Sequence, residues 1–123
     1  MTLIYLAGKY SVGDREANIQ AAYDMAVQLW DVGFAVLSPV LNSARMEESC
    51  KAADYESFLE GDLRMLTGCD ALFLLPGWQE SPGARIEHLV AKALDIPVFY
   101  SFEALTQHPL GAVEWVPDGD FVA

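Results

Sequence analysis

Two carboxylates of the 123-residue chain stand where a solvated side chain is not expected. Asp62 follows Phe58 by four residues and precedes Leu66 by four, so it shares the apolar face of a predicted helix. Glu87 lies on another predicted helix, at the edge of an apolar stripe that contains Ile86 and Leu89. Because burial shifts the pKa of a carboxyl group, both residues are candidates for acid–base or nucleophilic chemistry.

Each of these candidates also has a structural interpretation. Glu87 could be an ordinary solvated helix residue, and Asp62 could bond a nearby backbone group or pair with Arg64 or another cation. Tyr5 lies inside the first predicted strand, where it is either a core tyrosine or a site residue whose hydroxyl needs a partner. The residue pattern by itself leaves these alternatives open.

A glycine-containing turn follows the first predicted strand. Residues 8–14 (GKYSVGD) include Gly8, Lys9 and Ser11, and a turn of this kind before a helix can present backbone N–H groups to an anion. The segment lacks the spacing of a Walker phosphate loop. An ordinary turn between a strand and a helix is therefore an equally good interpretation.

A second candidate turn begins a predicted helix at residues 81–87 (SPGARIE). Ser81 suits the N-cap and proline suits the position after it, while Gly83 permits close approach of a ligand to the backbone. Arg85 would add a positive charge. Capping alone also explains the Ser-Pro pair.

Alternating strand and helix patterns must position these residues. The predicted strands are residues 2–7, 34–38, 71–75 and 97–101, and the predicted helices are residues 15–32, 50–67 and 83–94. Residues 41–49 are predicted to be a polar loop. The pattern predicts a small doubly wound α/β fold, Rossmann- or flavodoxin-like, with a parallel sheet of four to five strands and helices on both faces. Ligands bind beyond the carboxyl ends of such strands, where both turns lie.

The acidic composition narrows the range of partners. The chain has 18 Asp and Glu residues against 7 Lys and Arg residues, a net charge of −11, which disfavours nucleic acid polymers and anionic membranes. Its 53% apolar content and 13.5 kDa mass predict one globular domain over residues 1–123. No apolar segment reaches the length of a bilayer span and no signal sequence is evident, so a cytoplasmic location is predicted.

The cysteines and histidines show no pattern of a metal site or of a nucleophilic triad. Cys50 and Cys69 lack CxxC spacing and are expected to be ordinary thiols, with one disulfide between them as the alternative. His88 and His108 are isolated in the sequence, so no metal ion is predicted.

Several large apolar side chains are predicted to serve contacts beyond the core. Residues 109–123 form an apolar tail with Trp115 and Phe121, which is expected to fold back on the domain or to dock on a second subunit. Trp78, after the third predicted strand, is expected to be exposed. Both features are compatible with a homo-oligomer.

Residues 3–100 resemble the nucleoside 2-deoxyribosyltransferase-like superfamily in the order and approximate spacing of four segments. The segments are IYLAG, EGDLRML, GCDALFLLPG and SPGARIEHLVAKALDIPVF. The run from Asp62 to Glu87 is the most specific part. The chain looks most like a small uncharacterised branch of this superfamily and, from Ser81 to Glu87, resembles the 2'-deoxynucleoside 5'-monophosphate N-hydrolases.

The resemblance implies a covalent mechanism that needs no cofactor. At the position of Glu87 such enzymes have the glutamate that attacks the anomeric carbon, which gives a deoxyribosyl-enzyme. The aspartate at the position of Asp62 is implied to contact the nucleobase and assist its protonation. The tyrosine at the position of Tyr5 is implied to orient the nucleophile. Two carboxylates with separate acid and nucleophile roles suit cleavage of a glycosidic bond.

The residue at position 81 bears on the substrate. The transferases have an aspartate there that holds the sugar hydroxyls, whereas the N-hydrolases have a serine that contacts the phosphate, as Ser81 would here. A hydroxyl in place of a carboxylate beside a helix N-terminus removes repulsion from a phosphate. The residues expected to complete the binding site are Gly8, Lys9, Ser11, Gly83 and Arg85.

The resemblance therefore implies a small-molecule partner, a deoxynucleoside or its 5'-monophosphate, whose N-glycosidic bond is cleaved or transferred. It also implies a homodimer or larger homo-oligomer. Two alternative functions fit the same pattern: a non-catalytic nucleotide-binding module of the same fold, or a glycohydrolase that acts on another ribosylated nucleotide.

Overall fold

The computed structural model of the chain describes residues 1–109. Within this range four strands form one parallel sheet in the order β2-β1-β3-β4, with β1 at Leu3–Ala7, β2 at Ala35–Leu37, β3 at Ala71–Leu74 and β4 at Val98–Phe99. The helices are α1 at Arg15–Asp31, α2 at Pro39–Asn42, α3 at Tyr55–Leu66, α4 at Pro82–Ala93 and α5 at Phe102–Gln107. Short 3-10 turns lie at Met46–Glu48 and Trp78–Glu80. The predicted α/β fold with a parallel sheet is confirmed.

The side chains of the central strand β1 alternate between two apolar layers. Ile4 and Leu6 contact the layer that contains α1 and α5, while Tyr5 and Ala7 contact the layer that contains α3 and α4. All four residues are buried. Helices therefore cover both faces of the sheet, which explains why β1 and β3 are apolar almost throughout.

The segment between β2 and α3 differs from the sequence-based prediction. Helix α2 and the 3-10 turn Met46–Glu48 occupy much of the stretch that was predicted to be a polar loop. Helix α3 begins at Tyr55, not at residue 50, because the carboxylate of Asp54 accepts a hydrogen bond from the backbone N–H of Ser57 at 2.9 Å. The predicted boundary at residue 50 was wrong because the cap residue was not recognised.

Two glycines have a definite structural reason. Gly33 has a φ of 99° and follows the C-cap Val32 of α1, a position where glycine commonly ends a helix. At Gly8, directly after β1, a Cβ atom would lie 3.0 Å from the side chain of Leu75. Close approach of two chain segments therefore favours glycine at position 8.

Three further sequence-based predictions concern the C-terminal tail, membrane-spanning helices and the cysteines. The apolar tail with Trp115 and Phe121 lies outside the described residues from Leu110 onward. No helix within residues 1–109 has the length and apolar character needed to cross a membrane. Cys50 is exposed and Cys69 is buried, and both are free thiols.

Removal of a buried side chain from β3 should destabilise the fold. Leu72 is fully buried, so Leu72→Ala is expected to lower the free energy of unfolding by about 2–5 kcal/mol. The matched control Leu89→Ala, at a position that is 66% exposed on α4, should change it by less than about 0.5 kcal/mol. Urea unfolding followed by circular dichroism measures both values, and equal losses would contradict the assigned core.

Candidate active site

A cavity of about 530 Å³ lies at the carboxyl end of β1 and takes part of its wall from the start of α4, the helix that follows β3. The strand order reverses between these two strands, which is where open α/β sheets bind their ligands. Four segments line it: the loop after β1, the stretch from α2 to the 3-10 turn Met46–Glu48, the first half of α3 and the N-terminal part of α4. The cavity therefore gathers the two turns and both carboxylates that the sequence singled out.

Glu87 lies on the buried face of α4. That face consists of Ala84, Glu87 and Ala91, whereas Ile86 and Leu89 are exposed. The prediction that Ile86 and Leu89 mark the core stripe was therefore wrong. Small alanines allow the helix to pack closely on the sheet, so the larger apolar side chains project outward and the carboxylate takes the inward position.

Tyr5 is the partner of Glu87. Its side chain is fully buried and its hydroxyl donates a hydrogen bond to Oε2 of Glu87. Burial raises the pKa of Tyr5 well above its ordinary value, and the adjacent Glu87 carboxylate raises it further. The hydroxyl therefore keeps its proton and remains a donor to the carboxylate.

The pKa of Glu87 is raised to about 7. The largest cause is burial, which disfavours the charged form. The hydrogen bond from Tyr5 lowers this pKa, and the charge of Asp62 raises it. Glu87 is thus a carboxyl group that exchanges its proton near neutral pH.

Asp62 lines the same cavity from α3, beside Phe58 and Leu59. It is half-buried, and burial raises its pKa to about 6. Within residues 1–109 Asp62 forms no ion pair with Arg64, which is exposed on α3. The apolar face of α3 that contains Asp62 therefore forms part of the cavity wall.

Four of the predicted binding residues line the cavity: Gly8, Ser11, Ser81 and Gly83. The backbone N–H of Ala84 donates a hydrogen bond to the Ser81 hydroxyl at 3.2 Å, so this serine is the N-cap of α4. The capping role and a place in the cavity wall therefore coexist in one residue.

The two predicted cations do not line the cavity. The ammonium group of Lys9 lies 3.1 Å from a carboxylate oxygen of Glu80, in an ion pair outside the lining. Arg85 is exposed on α4 and is also outside the lining. The structure thus separates these two side chains from Ser11 and Ser81.

A polar group at the cavity rim was missed by the sequence analysis. The hydroxyl of Tyr10 donates a hydrogen bond to Glu47 at 2.7 Å and accepts one from the backbone N–H of Arg45 at 2.6 Å. Arg15 donates to the same carboxylate oxygen of Glu47 at 3.0 Å. Residues 39–49 follow β2 at its carboxyl end, which is the only signal that could have pointed to Glu47.

Trp78 does not fit its predicted exposure. It is half-buried and packs against the α3 and α4 layer, with its ring centroid 4.6 Å from that of His88. The prediction that Trp78 is exposed was wrong because the 3-10 turn Trp78–Glu80 folds it against α4. Among residues 1–109 no group of three or more His, Cys, Asp and Glu side chains is arranged to hold a metal ion.

Comparison with known proteins gives a family and a related fold. Residues 2–100 match the family described as Domain of unknown function (DUF4406). A solved structure of a 2-deoxyribosyltransferase from the psychrotolerant bacterium Bacillus psychrosaccharolyticus is similar, with 18% identity and a TM-score of 0.64 over 90% of this chain and 95% of that chain. At this identity the likeness shows a shared fold. No curated protein matches the chain.

Removal of the titrating group at position 87 should alter the pH dependence of stability. Because the pKa of Glu87 is about 7 in the folded chain and 4.5 ordinarily, the folded state loses stability as the pH rises through this interval. Glu87→Gln keeps an acceptor for Tyr5 and removes this loss. Between pH 4 and pH 8 the free energy of unfolding of the variant should therefore rise by up to about 3 kcal/mol relative to that of the wild type.

Urea unfolding across this pH range measures the effect. Glu103→Gln makes the same chemical change at an exposed position of α5. Its free energy of unfolding should depend on pH in the same way as that of the wild type. If the free energy of unfolding of Glu87→Gln also depended on pH as that of the wild type does, the raised pKa of Glu87 would be contradicted.

Proposed function

Because the chain belongs to the DUF4406 family, whose description names no activity, we propose a function from its site: cleavage or transfer of the N-glycosidic bond of a deoxynucleoside or its 5'-monophosphate. One observation carries this proposal. The buried carboxyl group of Glu87, bonded to Tyr5, lines the same cavity as the half-buried Asp62. Two carboxyl groups with different surroundings can act as nucleophile and proton donor at a glycosidic bond.

Glu87 is the nucleophile in this proposal. Its ionised carboxylate attacks the anomeric carbon of the sugar, a C–O ester bond forms, and the C–N bond to the base breaks. The electron pair of that bond leaves with the base. The hydroxyl of Tyr5 holds the Glu87 carboxylate in position throughout, because its own pKa is too high for it to lose its proton.

Asp62 is the proton donor to the departing base. It lines the cavity from α3, and its raised pKa keeps a fraction of it protonated in mildly acidic to neutral solution. Water or a second base then attacks the anomeric carbon and releases Glu87. The proton from that attacking group returns to Asp62, so the site is restored.

The shared fold with a 2-deoxyribosyltransferase supports the proposal, as does the resemblance of the segments around Asp62 and Glu87 to the nucleoside 2-deoxyribosyltransferase-like superfamily. In this proposal the chain is a single domain located in the cytoplasm, and it assembles as a homodimer or larger homo-oligomer. Exposed apolar residues on α1 support self-association. Tyr23, Val27 and Trp30 follow helical spacing along one face of that helix and are between 43% and 56% exposed.

Base release tests the proposed activity. Deoxynucleosides and their 5'-monophosphates are incubated with the chain, with and without a second free base, and the products are separated by chromatography. Glu87→Ala should lower kcat by at least about a thousandfold because the nucleophile is lost. Glu103→Ala, the same change at an exposed site, should leave kcat unchanged.

The outcomes separate the candidate functions. A covalent adduct of one deoxyribosyl group on the wild type, seen by intact mass and absent from Glu87→Ala, supports the mechanism. A requirement for the second base assigns a transferase, and release without it assigns a hydrolase. Ligand binding with no turnover by the wild type would contradict the proposal and favour a binding module. Release of base only from another ribosylated nucleotide would contradict the deoxynucleoside substrate.

The dependence of kcat/KM on pH should be a narrow bell. Activity needs Glu87 ionised and Asp62 protonated, and the pKa values of about 7 and 6 place the maximum between pH 6 and pH 7. Asp62→Asn should lower kcat/KM by about 10² to 10⁴ for bases that leave slowly. It should also lower the pKa of Glu87, since the charge of Asp62 raises it. A profile that stays flat from pH 5 to pH 8 would contradict these roles.

A further inference from the structure

The cavity has an unusual balance of charge. Three acidic side chains line it, Glu47, Asp62 and Glu87. No Lys or Arg is among the lining residues within the part of the chain that the structure describes. A phosphate group on a bound ligand would therefore lie among carboxyl groups with no cation of this wall to pair with it.

The seven cationic residues of the chain have other positions. They are Lys9, Arg15, Arg45, Lys51, Arg64, Arg85 and Lys92, so all of them fall within residues 1–109 and none in residues 110–123. Lys9 is paired with Glu80. Arg15 and Arg45 are paired with glutamates at the rim, and the remaining four are exposed outside the lining. None of these cations therefore forms part of the cavity wall.

Glu47 is held in place at the cavity rim. Tyr10 and Arg15 both donate hydrogen bonds to its Oε1, at 2.7 Å and 3.0 Å. Burial alone would raise the pKa of Glu47, but these bonds lower it below its ordinary value, so the side chain is ionised at neutral pH. Arg15 is shared with Glu48, and Arg45 with Glu48 and Glu16, so three carboxylates share two guanidinium groups. The rim keeps a net negative charge.

The N-terminus of α4 offers little to offset this charge. Pro82 has no N–H group. The backbone N–H of Ala84 donates to the hydroxyl of Ser81, and the backbone N–H of Arg85 donates to the carbonyl of Ser81. Gly83 alone retains a backbone N–H without a partner among the described residues in this turn. One amide donor is a weak counterpart for a phosphate that carries nearly two negative charges.

Resting on the proposed function, we propose that Glu47 is a specificity-determining residue that repels anionic substituents, so that the cavity takes a nucleoside in preference to its 5'-monophosphate. Glu47 is exposed at the rim and held by its hydrogen bonds, so the repulsion acts through solvent from a fixed position and is screened by salt. A neutral sugar end meets no such repulsion and can donate hydroxyl hydrogen bonds to the carboxylates.

Binding measurements by calorimetry test the role of Glu47. The probes are the four common deoxynucleosides and their 5'-monophosphates. Glu47→Gln should tighten binding of the monophosphates at least about tenfold, which is about 1.4 kcal/mol, and change binding of the nucleosides by less than about twofold. Gln retains an acceptor for Tyr10, so the rim geometry is kept. The control Glu48→Gln removes a charge from the same rim but outside the cavity lining, so it should tighten binding of the monophosphates clearly less than Glu47→Gln does, by no more than about threefold, and leave binding of the nucleosides unchanged.

A second measurement needs no variant. Raising the ionic strength from about 0.05 M to about 0.5 M should narrow the preference of the wild type for nucleosides, because salt screens the repulsion. A preference that is independent of salt would overturn the proposal, and so would equal effects of Glu47→Gln and Glu48→Gln.

The failure of this proposal is distinct from the failure of the proposed function. Wild-type binding of monophosphates at least as tight as that of nucleosides overturns the role of Glu47 but leaves glycosidic cleavage intact. Selective binding of nucleosides without base release overturns the cleavage and leaves the preference standing. Binding of neither class overturns both.

Discussion

The hydrogen bond between Tyr5 and Glu87 joins the centre of the sheet to the helix that closes the cavity. Tyr5 is fully buried in β1, and Glu87 is the polar member of an inward face otherwise made of Ala84 and Ala91. A lone carboxyl group at such a position would be costly, and the phenol compensates part of that cost. The position of the Glu87 carboxyl group and the proposed chemistry depend on this contact, while burial raises the pKa of Glu87 and the bond from Tyr5 moderates that rise.

The sheet and the main helices could be predicted from the sequence because apolar strands and helical spacing reflect burial on both faces. Asp62 and Glu87 were recognisable for the same reason, as charged residues within or beside apolar patterns. The wrong stripe on α4 shows a limit of this reasoning. Hydrophobicity favoured Ile86 and Leu89, whereas the space between helix and sheet admits only small side chains and one bonded carboxyl group.

Other parts of the site could not be predicted because they depend on contacts between distant segments. Tyr10 meets Glu47 across 37 positions of the chain, and Lys9 meets Glu80 across 71. No local pattern records such pairings. Formal charge in a turn therefore predicted a cation for phosphate binding, while the fold engages Lys9 with Glu80 outside the cavity lining.

The close packing of α4 by alanines has a consequence for how ligand size can change among related sequences. A larger side chain at Ala84 or Ala91 would push the helix off the sheet and displace Glu87 from Tyr5, so this wall tolerates little variation. Phe58 and Leu59 on α3 are only partly buried and also line the cavity. Divergence in the width of the accepted ligand should therefore concentrate at these two positions, with the α4 wall unchanged.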